Sequence, residues 1–95
     1  MIGKFVIIRT YSAGVHCGVL KSQGGETLGN VVRLTNAQRI WKWSGANTLN
    51  ELSLYGAKSP SKISEPVEEI ELERIEIIPC TTAAEKDLQR SRWET

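Results

Sequence analysis

The sequence has no long apolar run, a single histidine, two cysteines and only 6% aromatic residues. No run approaches the roughly 20 apolar residues that cross a bilayer, so no membrane span or membrane partner is predicted. The N-terminal MIGKFVIIRT is apolar but has no small-residue cleavage site, and we predict a first strand rather than a signal peptide. One histidine and two distant cysteines give no metal-ligand spacing, so neither a metal nor a cofactor is expected.

Cysteine usage and the lack of catalytic motifs narrow the function further. Without a secretion signal, Cys17 and Cys80 are expected to be reduced and buried, and a disulfide between them is the alternative. The sequence contains no phosphate-binding loop, no Gly-x-Ser-x-Gly and no motif that pairs a cysteine with His16. We therefore expect a protein that is not an enzyme.

The charge is nearly balanced, with 12 basic and 11 acidic residues and a formal net charge of +1. This balance argues against general electrostatic binding of nucleic acid or acidic membranes, although it leaves local basic patches open. With 95 residues, 40% of them hydrophobic, the chain is predicted to form one domain over residues 1–95 with a small core.

Two β-branched segments, residues 4–10 and 15–21, are predicted to form the first two strands. The connection between them contains Gly14, which can adopt the positive φ of a tight turn. A two-residue loop ending at this glycine predicts that Tyr11 lies opposite His16.

A second tight turn at Gly24-Gly25 is predicted to lead into a strand from about residue 27 to residue 36, which would place Arg33 opposite His16. In this register one face of the sheet forms the predicted core: Val6, Ile8, Val15, Cys17, Val19, Leu28, Val32 and Leu34. The other face is mixed, with its polar residues at one end: Phe5, Ile7, Arg9, Tyr11, His16, Leu20, Val31 and Arg33.

Short-range signals define the second half of the chain. Residues 38–43 are predicted to form a fourth strand. Thr48 and Glu51 fit a capping box that begins a short helix, and Gly56 ends it. The polar residues 57–66, with two prolines, are predicted to form a mobile loop.

The acidic segment 68–78 is predicted to be a strand with a bulge near Glu73-Arg74, or two strands that meet at a corner. Its carboxylates are expected to form the solvated face of an edge strand. Thr82 with Glu85 is predicted to cap a last short helix. Five or six strands and two short helices predict a mainly β fold, a small bent antiparallel sheet that is barrel-like (SH3-like) or a compact sandwich.

The stretch RIWKW at residues 39–43 is the first candidate ligand-binding segment. In a strand, Arg39, Trp41 and Trp43 share one face. Core packing is one interpretation, and a cation–π ladder on which a planar ligand stacks is the other. We expect Trp41 to be packed beneath and Trp43 to line a site, because Trp43 lies nearest the loop that follows.

A second candidate group consists of Arg9, Tyr11, His16 and Arg33, which the predicted register brings together beside the glycine turn. Two guanidinium groups, an imidazole and a phenol suit a phosphate or a carboxylate. A solvated sheet face is the alternative.

The start of the first helix is a third candidate, because backbone amides at a helix N-terminus favour anions. It contains Ser44, Gly45, Asn47 and Thr48. The signal gains weight from its position directly after the arginine and tryptophan row.

Four segments resemble a family of small bacteriophage-encoded proteins: RTYSAGVHCG (9–18), LTNAQRIWKWSGANTLNELSLYG (34–56), KISEPVEEI (62–70) and IEIIPCTTAA (75–84). The family motifs are Tyr-Ser-Ala-Gly-Val-His, Ala-Arg-Arg-Ile-Trp-x-Trp-x-Gly-Ala and an Ile-Glu-Ile-Ile-Pro strand. This chain departs from them at Gln38, where the pattern has the first of two arginines. The resemblance implies a phage accessory protein in the host cytoplasm, acting either as an anti-defence inhibitor or sponge, or as a piece of the particle.

Together these features predict a binding module that captures a small anionic, nucleotide-like ligand or a host protein. The first alternative is a structural or assembly protein with homo-oligomeric contacts. The second is a small-barrel nucleic-acid binder, which the near-zero net charge disfavours.

Overall fold

The structure is a computed structural model, and it describes residues 1–23 and 30–95. In these residues the chain forms a mainly β fold with six strands in one antiparallel sheet and two short helices, which confirms the predicted fold class. The elements are β1 (Phe5–Thr10), β2 (Val15–Gln23), β3 (Val31–Ser44), α1 (Leu49–Tyr55), β4 (Lys58–Ile63), β5 (Val67–Pro79), α2 (Thr82–Leu88) and β6 (Arg92–Trp93).

The sheet closes on itself in a ring-like arrangement. Its strand order is β2-β1-β5-β3-β4-β6, and β2 also pairs with β3. Strands β1, β2, β3 and β5 therefore form a continuous circuit of paired neighbours, and β4 and β6 extend from β3. Neither helix of the described chain is long and apolar enough to cross a membrane.

Two cores lie on opposite faces of β1, because successive residues of a strand point to opposite faces. The ring core contains strand residues alone: Val6, Ile8, Leu20, Val32, Leu34, Ala37 and Leu72. The helix-side core also includes residues of both helices: Phe5, Ile7, Cys17, Ile40, Leu52, Ala57, Ile63 and Leu88. The prediction of one core face and one mixed face is therefore wrong, because the helices cover the second face.

The connection between β1 and β2 is longer than predicted. Arg9 pairs with Val15, and the Thr10 N–H donates to the Gly14 carbonyl oxygen at 3.1 Å. The Thr10 hydroxyl also donates to that oxygen at 2.7 Å and accepts from the Ala13 N–H at 2.8 Å. These side-chain bonds stabilise a wider loop, so the predicted pairing of Tyr11 is wrong.

The pairing of β2 with β3 also differs from the prediction. His16 lies opposite Arg39 and not Arg33, and Cys17 lies opposite Gln38. The two strands predicted over residues 27–36 and 38–43 are one strand, with a positive φ of 50° at Asn36. The predicted turn at Gly24-Gly25 and the predicted core residue Leu28 lie outside the described residues.

Residues 58–63 form β4, where a polar loop was predicted. This strand pairs with β3 and β6, and it buries Ser61 and Ile63. Pairing with these strands satisfies the backbone hydrogen-bonding groups of β4, and alternate residues of the strand are buried. The segment therefore forms a strand despite its polar composition.

The acidic strand β5 pairs with both β1 and β3, so its predicted position at an edge is wrong. Its pairing with β1 shifts between Glu76 and Arg74, which confirms a bulge close to the predicted place. Three glutamates pair with cations of neighbouring strands: Glu76 with Arg9 at 2.6 Å, Glu69 with Lys21 at 2.6 Å and Glu71 with Arg33 at 3.4 Å.

Both helices begin at threonines. Thr48 accepts from the Glu51 N–H at 3.2 Å, and Gly56 ends α1 with a φ of 77°, as predicted. In α2 the cap is Thr81 and not Thr82, because the extended Thr81 places its hydroxyl to accept from the Ala84 N–H at 3.1 Å. The thiols of Cys17 and Cys80 are free, the first buried and the second half-buried.

Candidate functional site

A cleft lies where the pairing of β2 with β3 ends. Val15, the first residue of β2, pairs with Ile40. Beyond this pair β3 continues to Ser44, whereas the segment that precedes β2 turns away from it. The resulting gap is about 370 Å³ and is lined by Ser12, Ala13, Gly14, Val15, Arg39, Ile40, Trp41 and Trp43. The cleft therefore brings together the glycine turn and the RIWKW segment, which are distant in sequence.

The first wall is the turn that precedes β2. Gly14 has a φ of 84°, which residues with a side chain rarely adopt. His16 is 1% exposed, and its Nε2 lies 2.9 Å from the Ala13 carbonyl oxygen, to which it donates in the Nε2–H tautomer. Burial lowers the pKa of His16, and the nearby Arg39 lowers it further, against the opposite effect of the Ala13 bond. His16 is thus a neutral side chain that positions the turn.

The second wall contains the two tryptophans of β3, and the prediction that Trp41 is packed beneath Trp43 is wrong. Trp43 packs against the helix-side core, and its indole Nε1 donates to the Ala46 carbonyl oxygen at 3.2 Å. Trp41 is 66% exposed. The pairing of β3 with β4 shifts between Ile40 and Lys42, which breaks the alternation and returns Trp43 to the side of Ile40.

Arg39 lies at the rim of the cleft. No described residue places a carboxylate within 4.0 Å of its guanidinium, whereas Arg9 and Arg33 both pair with glutamates of β5. A guanidinium without a carboxylate partner retains all its donors for a carboxylate or phosphate ligand.

The predicted group of Arg9, Tyr11, His16 and Arg33 is not brought together as one site. The two arginines pair with β5, and the histidine faces the turn. Tyr11 is 84% exposed and directly precedes Ser12 of the cleft. It is therefore the member of this group that flanks the cleft.

The groups at the start of α1 are engaged within the protein. The Glu51 carboxylate accepts from the Asn47 N–H at 3.2 Å, and the Thr48 hydroxyl accepts from the Glu51 N–H. Ser44 donates to the Pro60 carbonyl oxygen at 2.9 Å. The Glu51 carboxylate adds a negative charge where an anion was expected, so these residues do not extend the cleft. Gly45, with a φ of 81°, lies against the Lys58 side chain.

Sequence reasoning missed several cleft residues. Ser12 and Ala13 lie in the connection that was predicted only as a tight turn, and the pairing of Val15 with Ile40 depends on a register that the sequence does not reveal. Within residues 1–23 and 30–95, no three His, Cys, Asp or Glu side chains come together in a group that could bind a metal.

Comparison with known proteins gives one family match. Residues 3–88 match the family described as Domain of unknown function (DUF6948). Neither the curated proteins nor the solved structures contain a match. The matched range includes every residue that lines the cleft. The chain therefore belongs to the DUF6948 family.

Proposed function

We propose that this protein is a non-enzymatic binding module that captures a small anionic ligand with a planar ring, such as a nucleotide, in the cleft beside Trp41. The observation that carries the proposal is the combination, in one cleft, of an exposed indole and an arginine for which no described residue supplies a carboxylate.

Each wall of the cleft has a chemical role in this proposal. The Arg39 guanidinium binds the phosphate or carboxylate of the ligand, for which its planar fork of donors is suited. The exposed face of Trp41 stacks on the ring. Val15, Ile40 and Trp43 supply an apolar floor. The volume of about 370 Å³ is within the usual range for sites of small ligands.

The groups near the cleft support binding rather than catalysis. The single histidine of the chain is buried, and its Nε2 is bonded to the Ala13 carbonyl oxygen. Burial raises the pKa of Cys17 and raises that of Cys80 to about 12, so both are thiols and poor nucleophiles at neutral pH. Because of the bond to Ala13, His16 is not oriented as a base that activates the Ser12 hydroxyl.

The resemblance to bacteriophage-encoded proteins supports a setting for this activity. In the cytoplasm of an infected host, such a module would sequester a nucleotide-like ligand or inhibit a host protein, as an anti-defence sponge or inhibitor does. A role in assembly of the particle predicts abundant copies in purified virions, which mass spectrometry would detect.

The test is titration with a panel of mononucleotides and dinucleotides, followed by tryptophan fluorescence and by thermal melting. We expect saturable quenching and a rise in Tm for at least one ligand. Trp41→Ala should abolish the quenching, whereas Trp93→Ala, which removes another exposed indole, should retain it.

Arginine variants provide the second matched pair. Arg39→Gln should weaken binding, whereas Arg33→Gln, which removes an exposed arginine paired with Glu71, should bind as the unmodified protein does. An unchanged fluorescence and an unchanged Tm across the whole panel would contradict the proposal.

A further inference from the structure

One part of the sheet carries basic residues without acidic ones, whereas the glutamates of β5 lie among cations with which they pair. Of the 11 acidic residues, five are on β5: Glu68, Glu69, Glu71, Glu73 and Glu76. The stretches 38–44 and 58–63, which form the adjoining parts of β3 and β4, contain no acidic residue and four basic ones: Arg39, Lys42, Lys58 and Lys62. The net charge of +1 therefore conceals a basic surface.

The four cations of this surface are not neutralised by the described part of the chain. None has a carboxylate of a described residue within 4.0 Å, in contrast to Arg9, Lys21 and Arg33. Glu94, next to β6, accepts hydrogen bonds from the Ser59 hydroxyl and the Ser61 N–H, both at 2.9 Å. Its carboxylate is thus directed to the β4 backbone rather than to these lysines.

A row of directly paired residues crosses this surface from β3 to β6. Lys42 pairs with Lys62, and Lys62 pairs with Trp93. Directly paired residues of antiparallel strands project to the same face. The Lys62 Nζ lies 5.1 Å from the centroid of the Trp93 ring, which is consistent with that arrangement. Neighbouring strands are about 4.8 Å apart, so the row extends about 10 Å from β3 to β6.

The row begins beside the cleft and ends at a second exposed indole. Trp41 precedes Lys42 on β3, and both are exposed because of the register shift after Ile40. Trp93 is 59% exposed at the other end. We call Arg39, Trp41, Lys42, Lys62 and Trp93 the basic–aromatic strip.

We infer that the basic–aromatic strip binds single-stranded nucleic acid, with one base stacked on Trp41, another on Trp93, and the connecting phosphates on Lys42 and Lys62. The inference rests on the proposed function, because the cleft would receive the first nucleotide. Stacking platforms separated by cations are the combination that single strands require, and bases in a duplex do not expose the faces that stack. An acidic peptide would use the cations but not two exposed indoles.

The location of the paired and unpaired charges determines on which side of the sheet a polyanion binds. The cations around β5 are paired with its glutamates, whereas those of the β3–β4–β6 side have no carboxylate of a described residue within 4.0 Å, so a polyanion is attracted mainly to this side of the sheet. This localised attraction is compatible with a net charge near zero, which excludes general binding over the whole surface.

The test uses a fluorescently labelled deoxythymidine oligomer and the full chain, with anisotropy measured over a range of salt concentrations. Three phosphate contacts, on Arg39 in the cleft and on Lys42 and Lys62, predict that the logarithm of the binding constant falls against the logarithm of salt with a slope of about −2. The double variant Lys42→Ala/Lys62→Ala should bind several-fold more weakly and make the slope shallower by about 1.4. The control Lys4→Ala/Lys86→Ala has the same net charge and should bind as the unmodified protein does.

The tryptophans add a readout that charge alone would not change. In a Trp41→Phe background, which retains Trp43 and Trp93, the oligomer should quench the fluorescence, and adding Trp93→Ala should remove most of that quenching. Trp93→Ala alone should weaken oligomer binding without weakening mononucleotide binding. Trp93 is exposed, so Trp93→Ala should melt near the Tm of the unmodified protein.

The outcomes separate this inference from the proposed function. An oligomer that binds no more tightly than a mononucleotide, or equal losses in the two double-lysine variants, overturns the strip and leaves the cleft proposal intact. Oligomer binding that depends on Lys42, Lys62 and Trp93 without any mononucleotide binding supports the strip and contradicts the cleft proposal. Self-association that requires Trp93, without oligomer binding, overturns the strip in favour of contact between copies of the chain.

Discussion

At the scale of single residues, Trp41 and Trp43 provide a direct comparison between an exposed and a packed indole. Trp43→Ala removes packing against the helix-side core and the bond to the Ala46 carbonyl, and we expect a loss of about 3 kcal/mol in the free energy of unfolding. Trp41→Ala removes an exposed side chain and should change stability by less than about 0.5 kcal/mol. Urea denaturation of both variants measures the difference, and equal midpoints would contradict it.

The same segment shows why the predicted packing of Trp41 was wrong. Strict alternation places Trp41 and Trp43 on one face, and that rule fails when one strand carries an extra residue. The register shift between Ile40 and Lys42 arises from pairing with β4, which is more than ten residues away in the chain. The sequence indicated RIWKW as a candidate segment and the structure places it at a cleft, whereas the packing of each indole was not predictable.

His16 makes a second prediction, on the pH dependence of stability. Burial and Arg39 lower its pKa in the folded state, so the unfolded chain takes up a proton at higher pH than the folded chain does. Its contribution is present above the unfolded pKa of about 6.5 and is lost as the pH falls toward the folded value. Between about pH 7 and pH 5 the Tm should therefore decrease.

The control for this pH dependence is His16→Gln, whose amide can still donate toward Ala13 but does not titrate. The carboxylates with lowered pKa values, Asp87, Glu69 and Glu94, lose their contributions at lower pH than this window. A Tm that decreases equally in the variant and in the unmodified protein would show that another group is responsible.

At the scale of elements, the junction between α1, α2 and β6 depends on Asp87. Its carboxylate accepts from the Ala57 N–H at 2.7 Å, from Arg90 at 2.8 Å and from Arg92 at 2.9 Å. Burial tends to raise the pKa of Asp87, but these hydrogen bonds outweigh it and the pKa is lowered. Asp87→Ala would leave the Arg92 side chain, only 10% exposed, without this carboxylate.

We expect Asp87→Ala to reduce the free energy of unfolding by about 2–3 kcal/mol, because a largely buried charge loses its partner. Glu68→Ala, at an exposed carboxylate of β5, is the matched control and should change stability by less than about 0.5 kcal/mol. Chemical denaturation at neutral pH checks both. Asp87→Ala as stable as the control would mean that the junction does not depend on this carboxylate.

Two glycines at the ends of elements allow the cost of backbone strain to be compared with the cost of steric overlap. Gly14 and Gly56 both have a positive φ, 84° and 77°. An added Cβ at Gly14 meets nothing within 4 Å, whereas at Gly56 it would lie 2.6 Å from Asp87 Oδ2. Gly14→Ala should therefore reduce stability by about 1–2 kcal/mol, and Gly56→Ala by clearly more. Equal losses in urea denaturation would show that the Asp87 side chain moves aside freely.

The elements that the sequence predicted well are those whose signals are local. The cap at Thr48 and the stop at Gly56 depend on neighbouring residues, and both were found. The strand β4 was predicted as a loop, because its polar residues and proline are typical of loops. Its pairing with β3 and β6 is long-range, and tertiary contacts override local propensity in such segments.

At the scale of the whole molecule, the ring-like sheet positions both the cleft and the basic–aromatic strip. Strand β2 pairs with both β1 and β3. The turn before β2 therefore lies beside β3 at the point where the pairing of β2 with β3 ends, and the cleft forms there. Because β3 continues past that point to pair with β4, the RIWKW segment adjoins the lysines of β4. Fold class followed from composition and alternation, whereas these juxtapositions required the closure of the ring.

The reactivity of the two thiols can show whether the ring-like sheet unfolds as one cooperative unit. Cys17 is fully buried in the helix-side core, and Cys80 packs against it half-buried. Alkylation requires an exposed thiolate, and burial raises the pKa of both thiols.

With Cys80→Ser, alkylation of Cys17 by iodoacetamide should occur only through global unfolding, because its strand is part of the closed circuit. Its rate should then increase with urea as global unfolding does, whereas Cys80 in a Cys17→Ala variant should react faster and depend less on urea. A Cys17 rate that is insensitive to urea would indicate that the circuit opens locally at β2.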